Sequence, residues 1–375
     1  MFNNMPKESC LTMKRAVTTA SLLATFLLVC CFASFAFAQD TQVAKPRFAA
    51  LPPHSAYPVS QKPATNLTQW RAAYTHKNVR YPFTMVGTNP KATNVTTTVP
   101  VFIIPIKMVY GPNNGNMTFD PTVANFGTLS SVQVATGSPL LSSNVDFVQG
   151  GVDLGQTQYI DAYQRGNFWT GVRTNTKYHV LLGTPTILAT QTINVSPSQG
   201  QVITNPFLPG HKVGEMDINA FDLKLQGFMQ QFSQIQPNTL PIFLTYDVYL
   251  TFGGCCIGGY HSANAPEPAG QTYSYATLVD QGSGVFSQDV AALSHEIGEW
   301  MDDPFVDNRV PCSDNSIMEN GDPLVLDDHA YTVGGFTYHL QDLVFIGYFG
   351  APRNFSVNRW LSFQNDEKNT CPGLP

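Results

Sequence analysis

Apolar residues recur at helical spacing in two stretches of this chain and cluster at strand-like spacing in several others. Between 217 and 235, Ile218, Phe221, Leu225, Phe228, Met229 and Phe232 fall three or four apart, which predicts a long amphipathic helix. A second helix is predicted over 288–302, where Val290, Leu293, Ile297, Trp300 and Met301 share one sector at 100° per residue. Ser287 is its expected N-cap, Asp289 suits the first turn, and Pro304 steers Asp303 out of the helical region. Segments 99–110 and 178–195 are β-rich, with breaks at Pro105 and at Gly183-Thr184-Pro185, and 160–169 reads as a short helix. Further strands are expected over 240–252 and 272–279, separated by a loop, and a hairpin around Gly334-Gly335. The aromatic run Phe345, Tyr348, Phe349 reads as core. The whole is an α+β pattern.

The N-terminus has a different character. Lys14-Arg15 precede an uncharged run over 16–38 that ends Ala36-Phe37-Ala38, so a Sec signal over 1–38 with cleavage after Ala38 is expected, and with it a secreted, periplasmic or extracellular protein. Left uncleaved, that run is long enough to span a bilayer, and it is the only membrane contact expected. Residues 39–65 carry Pro46, Pro52, Pro53, Pro58 and Pro63 with few bulky apolar groups, the composition of a linker or pro-segment. A β-rich region over 66–200 and a metal-binding region over 201–375 follow, in one domain or two joined lobes. Removing the charges of 1–38 takes the formal charge from −6 to −8, which excludes nucleic acid as an expected partner.

The polar face of the second helix carries the chemistry. It reads His295-Glu296-Ile297-Gly298-Glu299, in a chain with only seven glutamates, where H-E-x-x-E is expected by chance roughly 0.003 times. From Leu225 to Asn308 there are nine acids and no lysine or arginine. Acids clustered in this way raise one another's pKa unless a cation is supplied, and a bound metal ion would supply it. In H-E-x-x-H, ligands at i and i+4 chelate zinc from adjacent turns while the intervening glutamate acts as general base. Glu299 here takes the place of the second histidine, and Glu296 keeps the place of the base. Catalytic zinc takes three protein groups, and the next glutamate, Glu319, lies in a turn-rich segment, Met318-Glu319-Asn320-Gly321-Asp322-Pro323, suited to bring it back as third ligand. Asp303 and Asp322 are further candidates as ligands or supports, and Tyr260, His261, Tyr338 and His339 as transition-state stabilisers by residue type. One divalent ion is expected, zinc first; with two carboxylates among three ligands, manganese or calcium competes.

These motifs resemble those of secreted proteins related to EXORDIUM, the phosphate-induced family, and of bacterial zincin-like relatives. That group carries H-E-[IL]-x-E, a nearby x-P, then E-[IV]-x-D; here they read 295–299, Asp303-Pro304 and Glu319-Asn320-Gly321-Asp322, with Asn320 in the apolar position. Cys255-Cys256 followed by Gly258-Gly259-Tyr260-His261-Ser262 looks like the group's C-G-[FY]-H segment, with an extra stretch between. The resemblance spans about 215–345 and implies a zincin-like fold: a twisted mixed sheet, a long backing helix, a metal-binding helix, and an edge strand that could pair with an extended peptide.

Two functions follow as expectations. The first is a secreted metal-dependent hydrolase acting on an extended peptide or protein. The second is a non-catalytic extracellular protein, in the manner of EXORDIUM relatives, whose structural metal orders a surface for a cell-wall component. Of the four cysteines beyond the signal, an adjacent Cys255-Cys256 bridge would need a strained peptide, so each is expected to pair with Cys312 or Cys371 and staple the loop before the metal helix to the chain after it.

Overall fold

The computed structural model describes residues 45–57, 65–282, 286–313 and 316–372. The expected signal, its cleavage point and residues 39–44 and 58–64 of the proline-rich linker lie outside the described residues. Among the described residues, no helix is long and apolar enough to cross a membrane.

A curled, mixed, eleven-stranded sheet organises the α+β fold. Its main path runs Thr186–Ile187, Val101–Tyr110, Leu240–Tyr246, Thr272–Leu278, Ile257–Ala263, Val248–Thr251, Lys212–Asp217, Gly200–Thr204; off it, Arg47–Ala50 pairs with Ile257–Ala263, and Gln191–Val195 and Thr118–Phe119 pair with Val101–Tyr110. The first four run parallel; Ile257–Ala263 is antiparallel to Thr272–Leu278 and meets Val248–Thr251 only at the pair Ile257 and Leu250. Strands from 66–200 and from 201–375 thus share one sheet, joined where Val101–Tyr110 pairs with Leu240–Tyr246.

Period-two alternation sorts the central strands between two cores. From Leu240–Tyr246, Ile242 and Leu244 join the core that holds the helix Ala291–Asp302, while Phe243 joins the core that holds the helix Ile218–Met229. Both faces being covered, the strands read as continuous apolar runs, as in Val101–Tyr110. A third core sits under the hairpin Gln69–His76/Val79–Val86, where Trp70, Phe83 and Met85 meet Val344, Ile346 and Phe349.

Several expectations are corrected. The second helix begins at Ala291, not 288, because Asp289 takes φ +37° and its carboxylate binds the Val290 and His339 amides. Ser287 is therefore no N-cap; its hydroxyl pairs with that of Tyr249. The loop expected between 252 and 272 contains the buried strand Ile257–Ala263. The cysteines pair as Cys255–Cys256 and Cys312–Cys371. Cys312 and Cys371 stand 6.1 Å apart at Cα and satisfy each other, so neither is left for the adjacent pair and the expected staple to the loop before the metal helix does not form.

Candidate metal centre

The helix Ala291–Asp302 is buried along its whole length, so its polar face meets protein rather than solvent. It packs against Thr272–Leu278, Ile257–Ala263 and the hairpin strand Phe336–Gln341. Small residues make room for its functional groups. A Cβ on Gly259 would lie 2.6 Å from Glu296 Cγ, and one on Gly321 would lie 2.4 Å from His295 Nδ1.

Five side chains converge there: His261 from the sheet, His295, Glu296 and Glu299 from the helix, and Glu319 from the returning turn. They form two overlapping sets, His261–Glu299–Glu319 and His295–Glu296–Glu299, each with ligand atoms within 4.8 Å of one another. The expected triad His295, Glu299, Glu319 is thus divided between the sets, with Glu299 common to both. His295 Nε2 is 3.0 Å from Glu299 Oε1, and His261 Nδ1 is 3.4 Å from Glu296 Oε2 and 3.6 Å from Glu299 Oε2.

Hydrogen bonds on the far side of each imidazole fix which nitrogen faces the carboxylates. Gln341 donates its amide to the Gly321 carbonyl, so its Oε1 accepts from His295 Nδ1 at 2.9 Å, leaving a lone pair on Nε2. His261 Nε2 donates to the Asp303 carbonyl at 3.1 Å, leaving a lone pair on Nδ1. Burial holds both rings neutral, pushing His261 down to about 3 and His295 down to about 4. Burial first, then neighbouring carboxylates, pushes Glu296, Glu299 and Glu319 well above the usual carboxylate range.

Six buried atoms of this cluster have no hydrogen-bond partner: His261 Nδ1, His295 Nε2, both oxygens of Glu296, Glu299 Oε2 and Glu319 Oε1. Lone pairs facing carboxylate oxygens repel unless a cation or protons lie between them, and orphaned buried polar atoms are costly. The donor set fits a divalent ion. Tetrahedral ligand atoms about 2.1 Å from zinc are about 3.4 Å apart, close to the 3.6 Å from His261 to Glu299 and the 3.0 Å from His295 to Glu299. Imidazole and carboxylate together suit zinc and manganese alike.

The other candidates lie elsewhere or serve the frame. Asp322 stands at the mouth, with Oδ1 3.8 Å from His295 Nε2 and a side chain 51% exposed. A cleft of about 420 Å³, lined by Glu319, Asp322, Tyr348, Phe349 and the Cys312–Cys371 pair, opens there. The Asp303 carboxylate accepts from the amides of Asp307 and Asn308. Tyr260 faces the opposite core and donates to Asp222. Tyr338 packs on Phe336 and His339 pairs with Asp289; neither belongs to either set. His261, expected among the transition-state groups, instead sits with the ligand candidates, and Gln341 as the group that orients His295 was not anticipated. The one sequence signal for His261 was its place in Gly258-Gly259-Tyr260-His261.

No family model matches this chain, and no curated protein or solved structure matches it either.

Proposed function

We propose that this chain is an exported, zincin-like, metal-dependent hydrolase that cleaves peptide bonds, related to the EXORDIUM group. The observation that carries the reading is the set of six unpartnered buried atoms on His261, His295, Glu296, Glu299 and Glu319. Glu299, common to both sets, would hold one divalent ion together with Glu319 and an imidazole, zinc before manganese or calcium. When bound, such an ion supplies a Lewis acid for a substrate carbonyl and makes a neighbouring water more acidic. Glu296, with both oxygens unengaged, would accept the proton of the attacking water and pass it to the departing amine. Gln341 and the Asp303 carbonyl keep the two imidazoles in the tautomers that face inward.

A second reading, a non-catalytic protein with a structural metal that binds a cell-wall component, draws on the burial of His261, His295, Glu296 and Glu299 away from solvent. Glu296→Gln decides between the two. On unfolded protein substrates it is expected to cut hydrolysis by about 10²–10⁴-fold while metal content, measured by elemental analysis, is retained. Unchanged hydrolysis with metal retained would remove the enzyme reading.

A further inference from the structure

The edge of the strand that carries His261 is taken by the chain's own N-terminal segment. Arg47–Ala50 pairs parallel with Ile257–Ala263, placing Ala49 opposite Tyr260 and Ala50 opposite His261. The contact extends on both sides. The Lys45 amide donates to the Cys255 carbonyl, the Cys256 amide donates to the Lys45 carbonyl, Ser262 Oγ donates to the Leu51 carbonyl, and the His54 amide donates to the Ala263 carbonyl. Further along, His54 Nε2 meets Asp222 Oδ2 at 2.8 Å, and the Ala56 amide donates to Gln226.

Within 45–57 one side chain alone is buried, that of Phe48. Its ring lies flat on the imidazole of His295, centroids 3.5 Å apart and planes 21° apart, with Phe286 edge-on at 5.2 Å. Gly258 leaves the space for it: a Cβ there would come within 3.3 Å of Phe48 and 2.7 Å of Phe286. The segment therefore has one apolar anchor, a ladder of main-chain bonds, and surface contacts. Ile257–Ala263, by contrast, is buried at every residue. Main-chain bonds to a strand edge are indifferent to sequence and can be exchanged for those of another chain, while the seat on His295 selects a flat, apolar side chain.

We propose that residues 45–57 are a displaceable strand occupying the substrate edge of the metal centre, and that the ligand replacing them is an extended polypeptide with an aromatic side chain in the Phe48 seat. This rests on the peptidase reading, which it deepens by naming the substrate's form and the chain's own competitor for the site. The resting protein is latent because a tethered occupant outcompetes a free one at equal intrinsic affinity.

The test uses full-length, metal-free protein and a fluorescein-labelled peptide with the sequence of residues 45–57, read by anisotropy. Phe48→Ala is expected to bind the peptide at least tenfold more tightly than the parent chain, Phe48→Trp is expected to exclude it as the parent does, and a peptide with alanine at the Phe48 position is expected to lose binding. Equal binding by parent and Phe48→Ala, or none by either, overturns the proposal. Should Phe48→Ala not fold, Arg47→Ala/His54→Ala, which loosens the segment away from the anchor, takes its place with the same criteria. In metal-loaded protein, peptide that binds Phe48→Ala but is never cut removes the hydrolase reading and leaves the displaceable strand standing. Hydrolysis by parent and Phe48→Ala at equal rates, with equal peptide binding, does the reverse.

Discussion

Asp302 and Glu299 sit one turn apart on the same buried helix, and the protein treats them in opposite ways. The Asp302 carboxylate receives the Tyr163 hydroxyl at 2.7 Å, the Asn320 amide at 3.1 Å, the Asn167 amide and the Gln164 amide. Glu299 keeps one oxygen without a partner, and Glu296 keeps two. The fold can supply donors to a buried acid on this helix and does so at Asp302, and gives Glu299 Oε1 the Gly321 amide, so their absence at Glu296 and at Glu299 Oε2 is a local property of the cluster. A buried carboxylate surrounded by donors holds the fold together; one facing lone pairs does not, and it is on such carboxylates that the proposed metal role rests.

The largest expected effect that tests this contrast is on stability. Asp302→Ala would strand the amides of Gln164 and Asn167, each costing about 1–3 kcal/mol, and take one acceptor from Tyr163 and Asn320, so a loss of about 2 kcal/mol or more is expected in denaturant unfolding of metal-free protein. Glu296→Gln, which strands no donor, should stay within about 1 kcal/mol of the parent. Comparable losses in the two variants would erase the distinction.

Next in size is the response to metal. Zinc or manganese at a free concentration about 100 times its Kd should stabilise the protein by about 2.7 kcal/mol, a gain that chelation reverses. Glu299→Gln, Glu319→Gln and His261→Ala should lose that gain, whereas Asp302→Asn should keep it. A full metal response in His261→Ala would return His261 to the frame.

Smallest is a pH slope. Burial holds the Asp302 carboxyl at about 6 in the fold, against 3.8 for the free group. The folded state therefore binds the extra proton, and this group's contribution to stability is present below about pH 4 and is lost as pH rises towards 6. The slope cannot exceed about 1.4 kcal/mol per pH unit for one proton. In metal-free protein Asp302→Asn should flatten stability across pH 4–6 relative to the parent; an unchanged slope would mean that Asp302 does not titrate there.

Much of the frame was readable where one period dominates. Ile218–Met229 follows from the spacing of Ile218, Phe221, Leu225 and Met229, although it stops short of the expected end at 235 and leaves Phe232 beyond it, and the hairpin Asp328–Val333/Phe336–Gln341 follows from Gly334-Gly335. What escaped was set by tertiary contact. Ile257–Ala263 looked like a loop because Gly258 and Gly259 lower strand propensity, yet those glycines are required by Phe286 and Glu296 packing onto the backbone. The start of the site helix moved because Asp289 is held by a hairpin fifty residues downstream. At the centre, the histidine and glutamates of 295–299 were legible from their helical spacing, since one turn brings them together. His261 was not: its approach to Glu296 depends on strand register, which local periodicity does not encode.

Gly321 lets the returning turn press its main chain against the His295 ring, at a point where a methyl group would fall on Nδ1. The position admits hydrogen and nothing larger without shifting the ring, so in a saturation library selected for metal retention it should behave as an invariant column, though it carries no chemistry of its own. A methyl group there would push the imidazole away from Gln341, and the proposed centre would lose the orientation of a ring that Gly321 only leaves room for.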